Sequence, residues 1–173
     1  MDREKLRKQI ADSSVNVIYT YSAHWNIVNR LRKQYKRIKV LQIILTALST
    51  SGFLTSILSG IAWLSWLGGL TSAVSLGLNL YMLNFNVTDD IKKHTDAANE
   101  LWDVREAYRA LLMDFDALSD DELKVKRDEL THEVSRINKA YPGTDEKAFK
   151  KAQREIGKYT FEDGEAEELL NQR

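Results

Sequence analysis

The sequence predicts an all-α membrane protein: a two-helix transmembrane hairpin, extended by a long antiparallel cytoplasmic helical stalk and followed by short C-terminal helices. Three observations predict it. Val40 to Thr88 is a run of 49 residues without one Asp, Glu, Lys or Arg, in a chain that carries 25 basic and 25 acidic residues elsewhere. Heptad patterns of apolar and aromatic residues lead into this run and out of it. The chain has a single proline, Pro142, so few positions oppose a helix.

A membrane-spanning helix takes roughly 20 mostly apolar residues. The uncharged run is too long for one span and suits two, from Val40 to about Ser59 and from about Leu64 to Val87, joined by a short uncharged turn. A buried helical pair in a soluble domain is the competing reading. It is opposed by the absence of any charged helix face over two helix lengths. It is opposed also by Gly52, Gly60, Gly68, Gly69 and Gly77, five of the chain's 8 glycines, which membrane helices tolerate better than soluble ones. Trp63 and Trp66 at the turn are expected interface anchors.

Arg30, Arg32, Lys33, Lys36, Arg37 and Lys39 precede the first span, Lys92 and Lys93 follow the second, and the turn carries no charge. Positive flanks stay inside. Both termini are therefore expected in the cytoplasm of a multi-pass inner-membrane protein, with the tryptophans on the far face. The juxtamembrane position of the basic run favours anionic lipid over nucleic acid as its partner.

The segments expected are a cytoplasmic N-terminal helix over 1–39, the transmembrane hairpin over 40–88 (about 40–59 and 64–87), a return helix over 89–117 and C-terminal helices over 118–173. Roughly 120 residues remain outside the bilayer, enough for one modest domain. With no net charge, the whole chain offers no field for a polyanion, and no direct nucleic-acid binding is expected. The absence of cysteine removes disulfides and thiolate metal sites. The first apolar run begins near residue 38, so no signal peptide is expected.

Ile10, Ser14, Val17, Tyr21, His24, Val28, Leu31, Tyr35 and Ile38 mark one helix seam, which enters the first span without a breaker. Val87, Ile91, His94, Ala98, Leu101, Arg105, Tyr108, Leu112 and Phe115 mark a second. Packed together they form a stalk with arms on the order of 40 Å at 1.5 Å per residue. Asp114 to Asp121 is a polar break; its acids span a loop and suit a solvated connection. Ser119 followed by Glu122 predicts a capping box. Leu123, Leu130, Val134, Ile137 and Tyr141 form the apolar face of the next helix, which Pro142 and Gly143 end. Ala148, Phe149, Ala152 and Ile156 form a face of a shorter one, with Gly157 as its expected stop.

Inside the spans, Ser72, Ser75, Asn79 and Asn86 recur at helical spacing on one face of the second, and the first has its own polar or small stripe of Gln42, Thr46, Ser49, Ser56 and Gly60. Gly69, Ala73 and Gly77 make the small-residue pattern that lets helices approach closely, and are expected to pack the hairpin. Two readings of the polar faces compete. They hydrogen-bond between helices, or they line a water-filled path in an assembly of several hairpins. Asn79, the deepest of the set, is the pore-facing candidate. No ionisable group lies in the spans, so any pore is neutral-walled and poorly selective, and two helices cannot enclose one without oligomerising.

His24 and His94 occupy seam positions and are read as buried, satisfied histidines rather than metal ligands. They are not expected to meet: 14 residues back from Ile38 is His24, whereas 14 beyond Val87 is Leu101. Arg105 in a seam requires an anionic partner or a carbonyl, with an ion pair to Asp114 or an acid of the C-terminal helices expected. No phosphate loop, dinucleotide fingerprint, nucleophile elbow or metalloprotease helix is present. Neither enzymatic activity nor a cofactor is expected.

The chain resembles the SLATT domains, small bacterial proteins with two transmembrane helices and a cytoplasmic helical part. The resemblance rests on Tyr21, Ala23 and His24, on His94, Ala97, Ala98, Leu101, Trp102 and Arg105, and on Leu112 and Asp114. It continues in Tyr141, Pro142 and Thr144, in Ala148 and Ala152, and in Thr160, Phe161 and the acids around Glu165. The tail departs from it, ending in Asn171, Gln172 and Arg173 without the proline-containing finish common in the family. The resemblance implies a pore-forming or membrane-perturbing effector of bacterial antiphage systems, encoded beside enzymes that make nucleotide second messengers or beside reverse transcriptases. Its partners would be the lipid bilayer, copies of itself, and a nucleotide signal or neighbouring defence enzyme. The alternative is a membrane anchor or scaffold that recruits such a partner.

Overall fold

A computed structural model describes residues 3–158. The expectations for Thr160, Phe161 and the acidic tail, for the side chain of Ser56 and for a helix stop at Gly157 lie outside what it describes. The described residues are all-helical: α1 is Arg3–Ser59, α2 Ala62–Asn84, α3 Val87–Met113, α4 Asp120–Ala140 and α5 Glu146–Lys158. They form two compact units, one within Met1–Val28 and Lys92–Arg173, the other Asn29–Ile91.

The first unit has a conventional apolar core. From α1 it takes Leu6, Ile10 and Val17, from α3 Leu101, Val104, Tyr108, Leu111 and Leu112, then Phe115 beyond it, and from α4 Leu123 and Ile137. Leu130, Val134 and Tyr141 pack against this core half-buried, so the apolar face expected of α4 is the one that faces inward. Ala148 and Ala152 bury the inner face of α5, where Asn26 Nδ2 donates to the Ala148 carbonyl at 3.4 Å and Tyr19 meets the Phe149 ring at 6.1 Å. α5 is helical as far as Lys158, the last of the described residues.

Local capping sets the start of α4. The Ser119 hydroxyl accepts from the Glu122 N–H at 3.4 Å, and the Ser119 N–H donates back to Glu122 Oε2 at 2.9 Å, which completes the capping box. The Ser119 hydroxyl bond also holds the Glu122 carboxyl below its ordinary range. A distant residue fixes the same corner. Arg3 donates to the carbonyls of Phe115 and Leu118, both at 2.8 Å, and pairs with Asp120 at 2.5 Å. At the other end of α4, the Tyr141 hydroxyl donates to Glu100, which lowers that carboxyl's pKa and raises the phenol's, and Arg136 joins Glu100 to Glu133.

The second unit is built differently, because its helices expose rather than bury their apolar side chains. α1 continues through it without a break to Ser59; Gly60 then takes a left-handed φ of 69°, and α2 begins at Ala62. That conformation is cheap only for glycine. Ile43, Phe53, Ile57, Leu70 and Leu83 are exposed, and Leu58 reaches 87%. By length and composition one helix among the described residues, α1, is apolar enough to cross a membrane; its best window has a mean hydropathy of 1.4 and is 6% buried. α2 has no charged side chain, but Gly, Ser and Asn dilute its leucines. It ends at Asn84, and α3 starts only after Phe85 and Asn86.

Candidate functional site

Two sets of polar side chains stand out, one in each unit. In the second unit, α1 and α2 are joined by amide and hydroxyl bonds. Gln42 Nε2 donates to Asn79 Oδ1 at 3.0 Å, and Asn79 Nδ2 donates to the Ser75 carbonyl at 3.2 Å. Ser49 Oγ donates to the Gly68 carbonyl at 2.9 Å. Thr46 returns its hydroxyl proton to the Gln42 carbonyl one turn back, at 2.8 Å. Thr46, Ser49, Ser72, Ser75 and Asn79 line one shallow groove of about 260 Å³. Five of the six candidate pore-lining residues therefore share one surface.

Asn86 is not among them. It lies beyond the end of α2, and its carbonyl accepts the Asp89 and Asp90 N–H groups at 2.9 and 3.1 Å, so it opens α3. The helical spacing that linked it to Asn79 is broken where the helix ends, before Phe85.

The small-residue face is also corrected. Gly69 and Gly77 have nothing within 4 Å of where a Cβ would stand, and Ala73 is exposed. The close approach is made one residue earlier. A Cβ on Gly68 would stand 3.2 Å from the Ser49 carbonyl, and one on Gly52 would stand 3.6 Å from that of Leu64. On a helix one residue is a turn of about 100°, so Gly68 faces α1 while Gly69 points away from it. The pairing of Gly52 with Ser49 three residues before it was the available signal. Trp63 and Trp66 sit in the first turns of α2, both exposed, Trp66 at 82%.

In the first unit His24 and His94 do meet: their Nδ1 atoms stand 2.8 Å apart, with the residues 3% and 7% exposed. Spacing counted from the ends of the uncharged run paired the wrong residues. The chain turns at Gly60, and His24 and His94 lie almost equally far from it along the sequence. One Nδ1 must donate and the other accept, so the two neutral rings hold different tautomers. Burial, and then the neighbouring His94, lowers the His24 pKa to about 4. Among the described residues no group of three or more His, Asp or Glu is placed to hold a metal ion.

Ala98 and Leu101 are fully buried, but Arg105 is not a seam residue. Val104 takes the core position, and Arg105 lies half-buried with its guanidinium 4.5 Å from the Trp102 ring and 2.9 Å from Glu106. Its partner is thus neither Asp114 nor an acid of a C-terminal helix. Asp114 is exposed in the turn after α3, where its carbonyl accepts the Ala117 N–H at 3.0 Å. Pro142 follows Tyr141, the residue that caps α4.

The family model described as SMODS and SLOG-associating 2TM effector domain, family 4, matches residues 6–165. No curated protein and no solved structure matches the chain.

Proposed function

The chain belongs to family 4 of the SMODS and SLOG-associating 2TM effector domains, and from that premise we propose that it is a bacterial antiphage effector acting on the inner membrane. In this reading residues 40–59 and 64–87 are a transmembrane hairpin with both termini in the cytoplasm. Several copies assemble into a poorly selective pore, held closed by the helices outside the bilayer until a nucleotide second messenger or a neighbouring defence enzyme biases them.

The observation that carries the membrane reading is the exposed apolar surface of the second unit, where the best window of α1 is only 6% buried. Water would leave this surface unmatched, whereas lipid matches it. The pairings of Gln42 with Asn79 and of Ser49 with Gly68 run in opposite order along the two helices, which supports a hairpin. The Thr46, Ser72, Ser75 and Asn79 surface supports a polar path.

In bacteria loaded with a voltage-sensitive dye, activation by phage should depolarise the inner membrane before the cells die. Asn79→Leu, which removes the amide that Gln42 bonds, should weaken depolarisation several-fold at equal expression. Protection with an unchanged membrane potential would remove the pore reading.

One observation favours the second reading, a membrane anchor that recruits a partner. Thr46, Ser49 and Asn79 have their hydrogen bonds met within the protein, as packing contacts between helices require.

A further inference from the structure

We infer that the second unit carries a binding groove for one anionic phospholipid of the cytoplasmic leaflet, with its phosphate at Lys36 and Lys39 and an acyl chain laid along α1. The inference rests on the membrane reading above but not on pore formation.

A groove of about 700 Å³ follows one stripe of α1 from Lys39 through Ile43 and Ala47 to Leu54, with Asn79 of α2 at its side. Its length is roughly 22 Å at 1.5 Å per residue, more than one leaflet of a hydrocarbon core about 30 Å thick. The hydroxyls along it are already spent. Thr46, Thr50 and Ser51 donate to the carbonyls of Gln42, Thr46 and Ala47 at 2.8, 2.9 and 2.8 Å, and the Gln42 amide is bonded to Asn79. Such a wall has its hydroxyl protons spent on backbone carbonyls and each of its two amides, Gln42 and Asn79, donating within the protein, which suits hydrocarbon better than a bare polar face.

The charge sits at one end only. Lys39 Nζ lies 5.6 Å from the Tyr35 ring at the head of the groove, and Lys36 is one turn back and exposed. From Ser13 to Thr88 the sequence has no carboxylate, and the acids of this unit are Asp89 and Asp90 in the first turn of α3 rather than on α1. The α1 of a second copy at the same depth would bring another basic band against this one. An anionic headgroup brings the opposite charge, and its chain fills the apolar remainder.

Native mass spectrometry of the full chain in detergent tests this, with phosphatidylglycerol and phosphatidylcholine of identical acyl chains, and with inorganic phosphate alone. The expected result is a retained one-to-one phosphatidylglycerol adduct, about tenfold weaker retention of phosphatidylcholine, and none of phosphate. The Lys36→Ala/Lys39→Ala double variant should lose about tenfold for phosphatidylglycerol and nothing for phosphatidylcholine, while Ala47→Trp, which fills the groove, should lose both lipids. Equal retention of the two lipids, or indifference to the lysine changes in protein of unchanged helicity, overturns the inference. So does efficient cross-linking of Ile43→Cys between copies in native membranes, which would assign the groove to a second chain. Extraction of the chain from membranes by alkaline carbonate would instead defeat the membrane reading itself.

Discussion

A proton added to the accepting ring of the His24 and His94 pair must go on its Nδ1 and would set two N–H groups against each other across 2.8 Å. A free imidazole titrates near 6.5, whereas burial and then His94 lower His24 to about 4. Between those values the unfolded chain binds a proton that the folded chain refuses. Stability present above pH 6.5 therefore falls as the pH drops through this window, and stops falling below 4. From pH 7.5 to pH 5 the loss should be ~2 kcal/mol, measurable as a shift in denaturation midpoint. His24→Leu should flatten that difference; an equal pH dependence in the variant would show that another group causes it. Two adjacent glycines give a second contrast. Gly68→Val forces a side chain against the Ser49 carbonyl and should cost about 1–3 kcal/mol in detergent melts, whereas Gly69→Val meets open space and should leave the isolated chain's melting temperature unchanged. Equal losses at both positions would contradict the assigned helix face.

At the scale of elements, the corner between α3 and α4 is held twice, once by neighbours and once by a residue far away in sequence. Ser119→Ala removes the capping box and should cost ~1 kcal/mol of unfolding free energy. Arg3→Ala removes two carbonyl bonds and an ion pair from the same corner and should cost about 1–3 kcal/mol. Chemical denaturation followed by circular dichroism measures both, and an Arg3→Ala variant as stable as the parent would make the long-range tie superfluous. The two contacts differ in legibility. Ser119 and Glu122 are three residues apart, so the motif is readable from the chain itself, whereas nothing near Arg3 names Phe115 or Leu118 as its acceptors. Heptad counting found Ile10, Val17, Leu101 and Tyr108, all of which are buried. It placed Arg105 where Val104 belongs: Ala97, Leu101, Val104, Tyr108 and Leu111 are buried at alternating steps of four and three, the same heptad spacing in a register that passes through 104.

For the whole molecule the decisive exchange is of the segment 40–88 for an unrelated two-span hairpin. An anchor should keep its antiphage protection after the exchange, and a pore should lose it at equal membrane content. Protection by the exchanged chain would move attention to the surfaces of α3, α4 and α5, which then carry the function. The sequence by itself determined what depends on composition and on neighbours: an all-helical chain, an uncharged segment with basic flanks, the family, and the cap of α4. Hydropathy, helix propensity and capping act within a few turns, so they are written along the chain. Only the tertiary structure decided which residues meet: His24 with His94, Gln42 with Asn79, and Gly68 rather than Gly69 against α1. Those contacts depend on where the chain turns, at Gly60, and on the rotation of each helix about its axis. A shift of one residue in either changes every partner, since each residue turns the helix face by about 100°.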